Sequence, residues 1–418
     1  MSTFLDVIAE HNLPDKDIGR LRKMYLSTLL TLVECPEVIA VIGLRRSGKS
    51  TIIQQLQNSL IQSGTSRDHT IYINFEDPRL EEIANGTQLL HLVQEICTAK
   101  LGSERIYLFL DELDHIGSWE KAINFLYENQ KRIKLFISGS NSSLFTGRLA
   151  TVMSGRYIPF RVYPLCFAEY LDFTPFQRSD LDALKDFLEW GGFPRVVVEK
   201  NTYVKNQVLS SYFQTIVEKD LIVRHKIRKV QELRELVKYV FLNPTRIFSS
   251  YNLSKVLDVE DSTVNRYLSY MEQAYIIHRL PLYSPSVKKQ IYNPDKILLS
   301  DNGLARIAGF SGGDNFGQRL ENSCGLELIR RTEGELFYWK DDCDVDFVSR
   351  RGASAHFYNV TTSVDDDTTY KREVQSLDKA RLSYPAATFS LLTLINSLHR
   401  EDPRIEQIYE FMKKSQAK

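Results

Sequence analysis

The sequence is poor in cysteine and carries no excess of charge, and both deficits narrow the classes of protein that it can encode. Five cysteines are scattered through 418 residues without a Cys-x-x-Cys pair, which argues against a disulfide framework and against a zinc site. Lysine and arginine total 53, as do aspartate and glutamate, so the net charge is zero. A chain coated with cations for nucleic acid is thereby excluded, whereas a local basic face is not. We expect a protein of the reducing cytoplasm.

Long apolar runs and a signal-peptide pattern are also missing. No apolar run approaches the roughly 18 residues that a membrane span needs. Asp6, Glu10 and Asp15 interrupt the N-terminal stretch, where a signal peptide would be apolar. We therefore expect no membrane segment. With 43% hydrophobic and 25% charged residues the composition is that of a globular protein, and the length predicts two to four domains.

The most informative stretch is residues 43–50, Gly-Leu-Arg-Arg-Ser-Gly-Lys-Ser, which fits the phosphate-binding pattern G-x-x-x-x-G-K-[ST]. Its glycines let the backbone wrap closely around a phosphate chain, while Lys49 reaches the β- and γ-phosphates and Ser50 offers a hydroxyl to Mg²⁺. An apolar run at 38–42 predicts a strand before the loop, and residues 51–56 predict a helix after it. The predicted nucleotide-binding residues of this loop are Gly43, Arg45, Arg46, Ser47, Gly48, Lys49, Ser50 and Thr51.

Acidic residues follow two further apolar runs, where the ends of parallel strands would meet the phosphate loop. The run 106–110 ends in Asp111 and Glu112. We expect Asp111 to hold Mg²⁺ together with the loop serine, and Glu112 to act as the general base on the attacking water. Glu76 and Asp77 follow an earlier predicted strand. They could have a role at Mg²⁺, or they could form a turn before a proline, and the sequence leaves both interpretations open.

Polar and basic residues after the next strand supply candidates for contacts with the γ-phosphate. Ser140 and Asn141 follow the strand predicted at 134–138. One of them could contact the phosphate or cap a helix N-terminus, and the sequence leaves both interpretations open. We include Asn141 among the nucleotide-binding residues. Arg156, and less so Arg148, is a candidate for the arginine that stabilises the charge of the transition state. Such an arginine acts either in its own chain or on a neighbouring subunit. The alternative for both residues is a solvated surface arginine. The predicted catalytic residues are therefore Glu112, Lys49 and Arg156.

Strands separated by helices predict an α/β fold with a doubly wound parallel sheet. The order of these motifs resembles the AAA-like P-loop ATPases of archaea and bacteria, whose second half has no assigned function. The stretches 163–170, with Pro-Leu-x-Phe-x-Glu, and 190–194, with Gly-Gly-Phe-Pro, are similar to more specific motifs of that family. The resemblance implies an AAA-like fold, ATP as the nucleotide rather than GTP, and a helical lid.

A winged helix-turn-helix is predicted after the lid. Residues 249–257 and 262–271 predict two helices joined by a turn, with Val264, Leu268 and Met271 facing the core and Ser262, Thr263, Asn265, Arg266 and Ser269 facing out. Asn265 and Arg266 are placed to contact double-stranded DNA, and Lys288 and Lys289 could add phosphate contacts. From Arg246 to Lys296 there are seven basic and five acidic residues, a small excess, so a winged helix used for protein contacts stays open.

The C-terminal stretch has the order of elements of a PD-(D/E)xK nuclease: a helix, a strand, an Asp-bearing strand and a third strand. Asp346 keeps the first acidic position. Asn359 and Thr361 stand where the metal-binding glutamate and the lysine belong, so we expect a nuclease-like fold without nuclease chemistry. The acidic run 365–367 favours a solvated loop over a metal site.

The sequence thus predicts four domains: a P-loop ATPase domain, a helical lid, a winged helix and a nuclease-like domain, at residues 1–162, 163–228, 229–290 and 291–418. The expected function is an ATP- and Mg²⁺-dependent switch that passes its nucleotide state to a partner, either DNA, another protein or a second copy of the chain. The alternative is a DNA- or protein-binding regulator in which ATP is mainly a structural ligand.

Overall fold

The chain divides into two compact units, Met1–Tyr163 and Pro164–Gln416. The computed structural model describes residues 4–14, 18–99, 104–139, 149–174, 179–309, 315–332, 335–399 and 401–414. None of the helices within these ranges is both long and apolar enough to cross a bilayer.

A sheet of five parallel strands forms the centre of the first unit. The strands are β1 (Val38–Ile42), β2 (Thr70–Asn74), β3 (Ile106–Asp111), β4 (Ile133–Gly139) and β5 (Tyr157–Arg161). Their order across the sheet is β2-β3-β4-β1-β5. The strands read as nearly continuous apolar runs because both faces of such a sheet are buried.

Helices cover this sheet, as the sequence predicts. They are α1 (Phe4–His11), α2 (Lys23–Thr31), α3 (Lys49–Gln62), α4 (Gly86–Ala99), α5 (Trp119–Asn129) and α6 (Leu149–Val152). Alternate strand residues such as Val41, Phe109 and Phe136 form one core with side chains of α2 and α3. The intervening residues, such as Leu108 and Ile137, are equally buried, and α5 contacts β4 and packs against α4.

The second unit begins with helices where a lid is expected. They are α7 (Phe167–Phe173), α8 (Asp180–Trp190), α9 (Pro194–Val197) and α10 (Thr202–Thr215), followed by a π-helical segment, Ile216–Val223. The two motifs of the family resemblance meet here, because the Leu165 N–H donates to Gly192 O at 2.7 Å. The Gly192 N–H in turn donates to the buried carboxylate of Asp301 at 2.6 Å, so both motifs have a structural role.

Three helices and a small antiparallel sheet follow. They are α11 (Val230–Leu242), β6 (Ile247–Phe248), α12 (Ser250–Leu257), α13 (Asp261–Gln273), β7 (Ile277–Leu280), α14 (Val287–Tyr292) and β8 (Asp295–Leu299), with strand order β6-β8-β7. Val264, Leu268 and Met271 are buried, as predicted. The prediction that Thr263 faces solvent is wrong, since it is buried at the start of α13.

A second five-stranded sheet completes the unit. Its elements are α15 (Asn302–Ala308), α16 (Phe316–Thr332), β9 (Leu336–Lys340), β10 (Asp344–Arg351), β11 (Ser354–Ser363), α17 (Asp367–Ser383), β12 (Thr388–Ile395), β13 (Ile405–Gln407) and α18 (Ile408–Lys413). The order is β13-β12-β11-β10-β9, with β9, β10 and β11 antiparallel and β11, β12 and β13 parallel. The predicted succession of helix, strand, Asp-bearing strand and third strand is therefore found.

Candidate functional site

The loop between β1 and α3 has a backbone that its two glycines make possible. Gly43 has φ 140°, and a Cβ on it would lie 2.1 Å from Val162 O, so no larger residue fits. Gly48 has φ 99° and begins α3 as its N-cap. Arg46 adopts φ 67°, a left-handed conformation that is uncommon outside glycine. The loop thus turns tightly and leads directly into the N-terminus of a 14-residue helix, where backbone N–H groups favour an anion.

Two side chains of the loop, Ser47 and Lys49, are buried. Ser47 is fully buried, and its Oγ has no hydrogen-bond partner among the described residues. The Lys49 Nζ, in a side chain that is 4% exposed, donates to two carbonyl oxygens of its own loop, Gly43 O at 3.2 Å and Leu44 O at 3.3 Å. A phosphate oxygen would satisfy both groups better than the loop does, because an ammonium gains most from a charged acceptor.

Asp111, at the end of β3, is held by two hydroxyl groups. Tyr72 Oη donates to its Oδ2 at 2.6 Å, and Ser138 Oγ donates to its Oδ1. Burial, and next the negative charge of Asp111, raises the pKa of Tyr72, so this phenol keeps its proton. The carboxylate is therefore fixed at the carboxyl end of the sheet, the edge that also bears the loop after β1.

Glu112 follows with a strained backbone and an unsatisfied carboxylate. Its φ is 56°, and its N–H donates to Ser138 Oγ at 3.0 Å. Its Oε2 is buried with no hydrogen-bond partner among the described residues. Burial raises the pKa of Glu112 to about 7, against the lowering effect of Lys49. A carboxylate with a pKa near 7 is suited to accept a proton from water at neutral pH.

The other predicted loop residues lie around this centre. Arg45 pairs with Glu76, whose Oε1 is 3.3 Å from Nη1, so Glu76 is tied to the loop. Arg46 is exposed, and Ser50 and Thr51 are partly exposed in the first turn of α3.

Asp77 is not brought into the site, because it begins a short turn and pairs with Arg79 and His11. For Asp77 the structure therefore favours a turn over a role at Mg²⁺.

Arg156 does not reach the loop of its own chain. Its backbone O accepts from the N–H of Val38, the first residue of β1, so it lies at the opposite edge of the sheet from Gly43. Five residues of parallel strand separate these edges, or about 16 Å. Its guanidinium bonds Asn124 at 2.7 Å and Glu128 on α5. This placement favours neither an arginine acting in cis nor one acting on a neighbouring copy, so the role of Arg156 stays a prediction.

Asn141, Ser140 and Arg148 lie outside the described residues, so the predictions for them stay predictions.

Sequence reasoning missed Tyr72, Ser138 and Arg22. The Arg22 Nη1 donates to Ser47 O and to Tyr163 O, both at 2.9 Å, and thereby braces the loop. Only Ser138 carried a usable signal. Since Leu110 pairs with Ile137, the next residues along the two strands, Asp111 and Ser138, must be neighbours.

The DNA-binding candidates of the second unit lie on α13 and α14. The Asn265 Nδ2 donates to Asp261 O at 3.2 Å, within its own helix. Arg266 is exposed, and its Nη2 bonds Thr263 Oγ1 at 3.3 Å. Lys288 and Lys289 are exposed on α14.

The nuclease-like candidates have internal partners. Asp346 Oδ1 is 3.2 Å from Lys296 Nζ, and its Oδ2 accepts from the Val360 N–H at 2.9 Å. Asn359, which replaces the metal-binding glutamate, donates to Glu373 and to Ser376 Oγ at 2.6 Å. Within the described residues no group of three His, Cys, Asp or Glu side chains could hold a metal ion.

Comparisons with known proteins place these features in a family. Residues 36–171 match the family model of an AAA domain, and residues 181–313 match a domain of unknown function (DUF8612). An uncharacterized protein of Haemophilus influenzae is 29% identical over 356 residues, covering 83% of this chain and 88% of its own length. The uncharacterized protein MJ1544 of Methanocaldococcus jannaschii is 32% identical over 367 residues, covering 82% and 79%.

Among solved structures, the Walker-type ATPase PABY2304 of Pyrococcus abyssi is 14% identical with a TM-score of 0.48, covering 69% of this chain and 95% of that one. The AAA-domain match, together with the five-stranded parallel sheet, confirms the predicted P-loop fold of the first half.

Proposed function

The chain carries an AAA domain and belongs to the same family as MJ1544 of M. jannaschii, and on this premise we propose that it is an ATP-hydrolysing switch. ATP binds with Mg²⁺ at the loop of residues 43–51, and its hydrolysis changes the state of a partner bound by the C-terminal half. The observation that best supports this proposal is the pair of buried, unsatisfied oxygens at one sheet edge, Ser47 Oγ and Glu112 Oε2. Such groups are costly unless a ligand completes them.

The phosphate chain would lie in the loop, with its charge met by Lys49 and by the N–H groups at the start of α3. Ser50 and Asp111 would hold Mg²⁺, which neutralises charge on the phosphates. These two oxygen donors fit the ion, since Mg²⁺ is usually bound by one or two protein oxygens together with phosphates and waters. The hydroxyls of Tyr72 and Ser138 keep the Asp111 carboxylate in one orientation.

Glu112 would accept the proton of the attacking water. Its neighbour Ser138 fixes the backbone from which the side chain projects, and Lys49 is close enough to influence its pKa. The buried surroundings keep bulk water away from this carboxylate, so a proton taken up here is retained long enough to leave with the product.

For the C-terminal half we propose a winged helix-turn-helix, because α11, α12 and α13 are followed by two antiparallel strands, β7 and β8, whose connection contains α14. Double-stranded DNA is the first candidate partner, through Asn265 and Arg266 on α13 and Lys288 and Lys289 on α14. A protein partner is the second candidate, since the charge excess of this region is small. A nuclease is disfavoured, because Lys296 and a backbone N–H already bind the carboxylate of Asp346.

Steady-state ATP hydrolysis by the full chain, with and without double-stranded DNA, tests the proposal. We expect Glu112→Gln to bind ATP and not to turn it over, and Lys49→Ala to lose nucleotide binding. Glu95→Gln, on an exposed position of α4, is the matched control and should behave as wild type.

Wild-type turnover by Glu112→Gln would refute the assignment of the base, and tight nucleotide binding by Lys49→Ala would refute the loop assignment. Turnover that rises with DNA identifies DNA as the partner, whereas turnover indifferent to DNA points to a protein. Negligible turnover by the wild type under all conditions would favour the alternative, a regulator that holds ATP as a structural ligand.

A further inference from the structure

A cleft of about 450 Å³ lies in the second unit, between the chain segment 225–229 and one side of α13. The segment follows the π-helical stretch, and Lys226 adopts a left-handed φ of 49°, which turns the chain before α11 begins. The volume is within the range of small-molecule binding sites, roughly 300–1,000 Å³.

The walls of the cleft carry an uncompensated positive charge. Its cationic side chains are Lys226, Arg228, Lys229 and Arg266. One carboxylate, Glu260, also lines it, so four positive charges and one negative charge give a formal net charge of +3. Glu260 already accepts a hydrogen bond from Ser262 Oγ at 3.1 Å. None of the four cations forms an ion pair within the described part of the chain, whereas other cations of this unit do, such as Arg279 with Asp295.

Two helix N-termini add to this field. Helix α11 starts directly after Lys229 and α13 starts directly after Glu260, and each is 13 residues long. Neither N-cap residue caps its helix with its side chain. The first-turn N–H groups of both helices contribute partial positive charge near the cleft, although Glu232 and Asp261 in the same turns offset part of it.

An aromatic pair, His225 and Tyr270, also lines the cleft. His225 stacks on Tyr270 with ring centroids 3.7 Å apart and an angle of 11°. His225 Nε2 is shielded from solvent and has no hydrogen-bond partner among the described residues. Burial, and next the charge of Arg224, lowers the pKa of His225, so the imidazole is neutral near pH 7. Tyr267 Oη donates to Lys229 O at 3.4 Å and ties the segment to α13.

We propose that this cleft binds the phosphate groups of a ligand that carries several of them, either the backbone of a nucleic acid or the polyphosphate of a free nucleotide. The four cations are exposed and line one cleft, so a phosphate bound there would accept charge-assisted hydrogen bonds from several of them. The proposal is independent of the ATP site, because every residue that supports it lies in the second unit. It assigns Arg266 to a phosphate in the cleft rather than to a base edge.

The test compares two double variants of the full chain. Arg228→Gln with Lys229→Gln removes two cations from the cleft. Lys185→Gln with Arg351→Gln removes the same charge from exposed positions outside it and is the matched control. The probes are fluorescein-labelled single- and double-stranded 20-nucleotide DNA, followed by anisotropy at several salt concentrations, and inorganic tripolyphosphate. Lysine acetylation read by mass spectrometry reports whether each probe shields Lys226 and Lys229, which separates the cleft from the phosphate loop.

If the cleft takes a nucleic-acid backbone, DNA shields Lys226 and Lys229, and the cleft variant binds it about tenfold more weakly. The salt dependence should also lose roughly one unit of slope for each phosphate contact removed. If the ligand is a free polyphosphate, tripolyphosphate alone gives this shielding and DNA does not. The proposal is overturned if neither probe shields these lysines. It is also overturned if the cleft variant binds the shielding probe as tightly as the control variant does.

Discussion

Replacing Lys296 with methionine removes the cation from a buried ion cluster. Lys296 is 5% exposed on β8, and its Nζ lies 2.5 Å from Glu321 Oε1 and 3.2 Å from Asp346 Oδ1. Burial alone would lower the pKa of Lys296, and the two carboxylates together raise it to about 12. Methionine keeps the length of the apolar stem, so the substitution removes charge without opening a large cavity.

The expected loss of stability depends on the hydrogen bonds that the two carboxylates keep after the substitution. Breaking a buried ion pair by removing one partner costs about 3–5 kcal/mol, because the remaining charge is uncompensated. Here Glu321 still accepts from Thr245 Oγ1 at 3.0 Å and Asp346 still accepts from the Val360 N–H. These neutral donors lessen the penalty, so we expect about 3 kcal/mol at pH 8 for Lys296→Met.

The loss should depend on pH with a definite sign. Burial, and next the charge of Asp346, raises the pKa of Glu321 even in the wild type. Without Lys296 this pKa rises further, so the folded variant binds a proton at a pH where the unfolded chain, with a glutamate pKa of about 4.3, does not. The stability of the variant relative to wild type should therefore recover by about 1 kcal/mol or more between pH 8 and pH 5.5.

Hydrogen exchange of peptides from β10 and β11 is the appropriate measurement, since a chain of two units need not unfold in one transition. Lys340→Met is the matched control, because its ion pair with Asp344 is exposed and should contribute less than about 1 kcal/mol. A loss for Lys296→Met no larger than that of the control, or a loss that grows toward low pH, would refute the reasoning.

Three further predictions concern the first unit. Because burial raises the pKa of Glu112 to about 7, kcat/KM for ATP should rise as pH increases from 6 to 8, and a flat profile would exclude this group as the base. Gly43→Ala should abolish nucleotide binding, because the added Cβ would lie 2.1 Å from a backbone oxygen. Gly64→Ala is the control: Gly64 has φ 103° but open space around it, so the substitution should cost only about 1 kcal/mol of stability. Tyr72→Phe should raise the Mg²⁺ concentration for half-maximal hydrolysis several-fold, because Asp111 loses one of two donors; an unchanged Mg²⁺ dependence would show that the phenol does not position it.

The strands and the loop of the first unit could be predicted because their determinants are local. An apolar run such as 38–42 fits the buried interior of a parallel sheet, and the glycines after it allow the positive φ values that the tight loop needs. The positions of Asp111 and Glu112 followed from the same logic, since the carboxyl ends of parallel strands share one edge. The same logic gives no position for Arg156, because a residue before a strand lies at the opposite end of the sheet from a residue after it.

The contacts that complete the sites could not be predicted, because they join residues far apart in the chain. Tyr72 and Asp111 are 39 residues apart, and Lys296 and Asp346 are 50 apart. A lysine in a sequence indicates a solvated surface, and only the fold shows that Lys296 is enclosed between two carboxylates. The cleft beside α13 could not be predicted for the same reason, because residues 225–229 form it only together with a helix that lies further along the chain.

The buried groups at the phosphate loop and those around Asp346 differ in whether they already have partners. A site that binds a ligand must keep donors or acceptors unsatisfied until the ligand arrives, and Ser47 Oγ and Glu112 Oε2 in the first unit do so. In the C-terminal sheet the side chains at the predicted nuclease positions already have partners, because Lys296 binds Asp346 and Asn359 bonds Ser376. A metal ion there would have to displace an ammonium held by two carboxylates, so the structure favours nucleotide chemistry in the first unit over metal chemistry in the second.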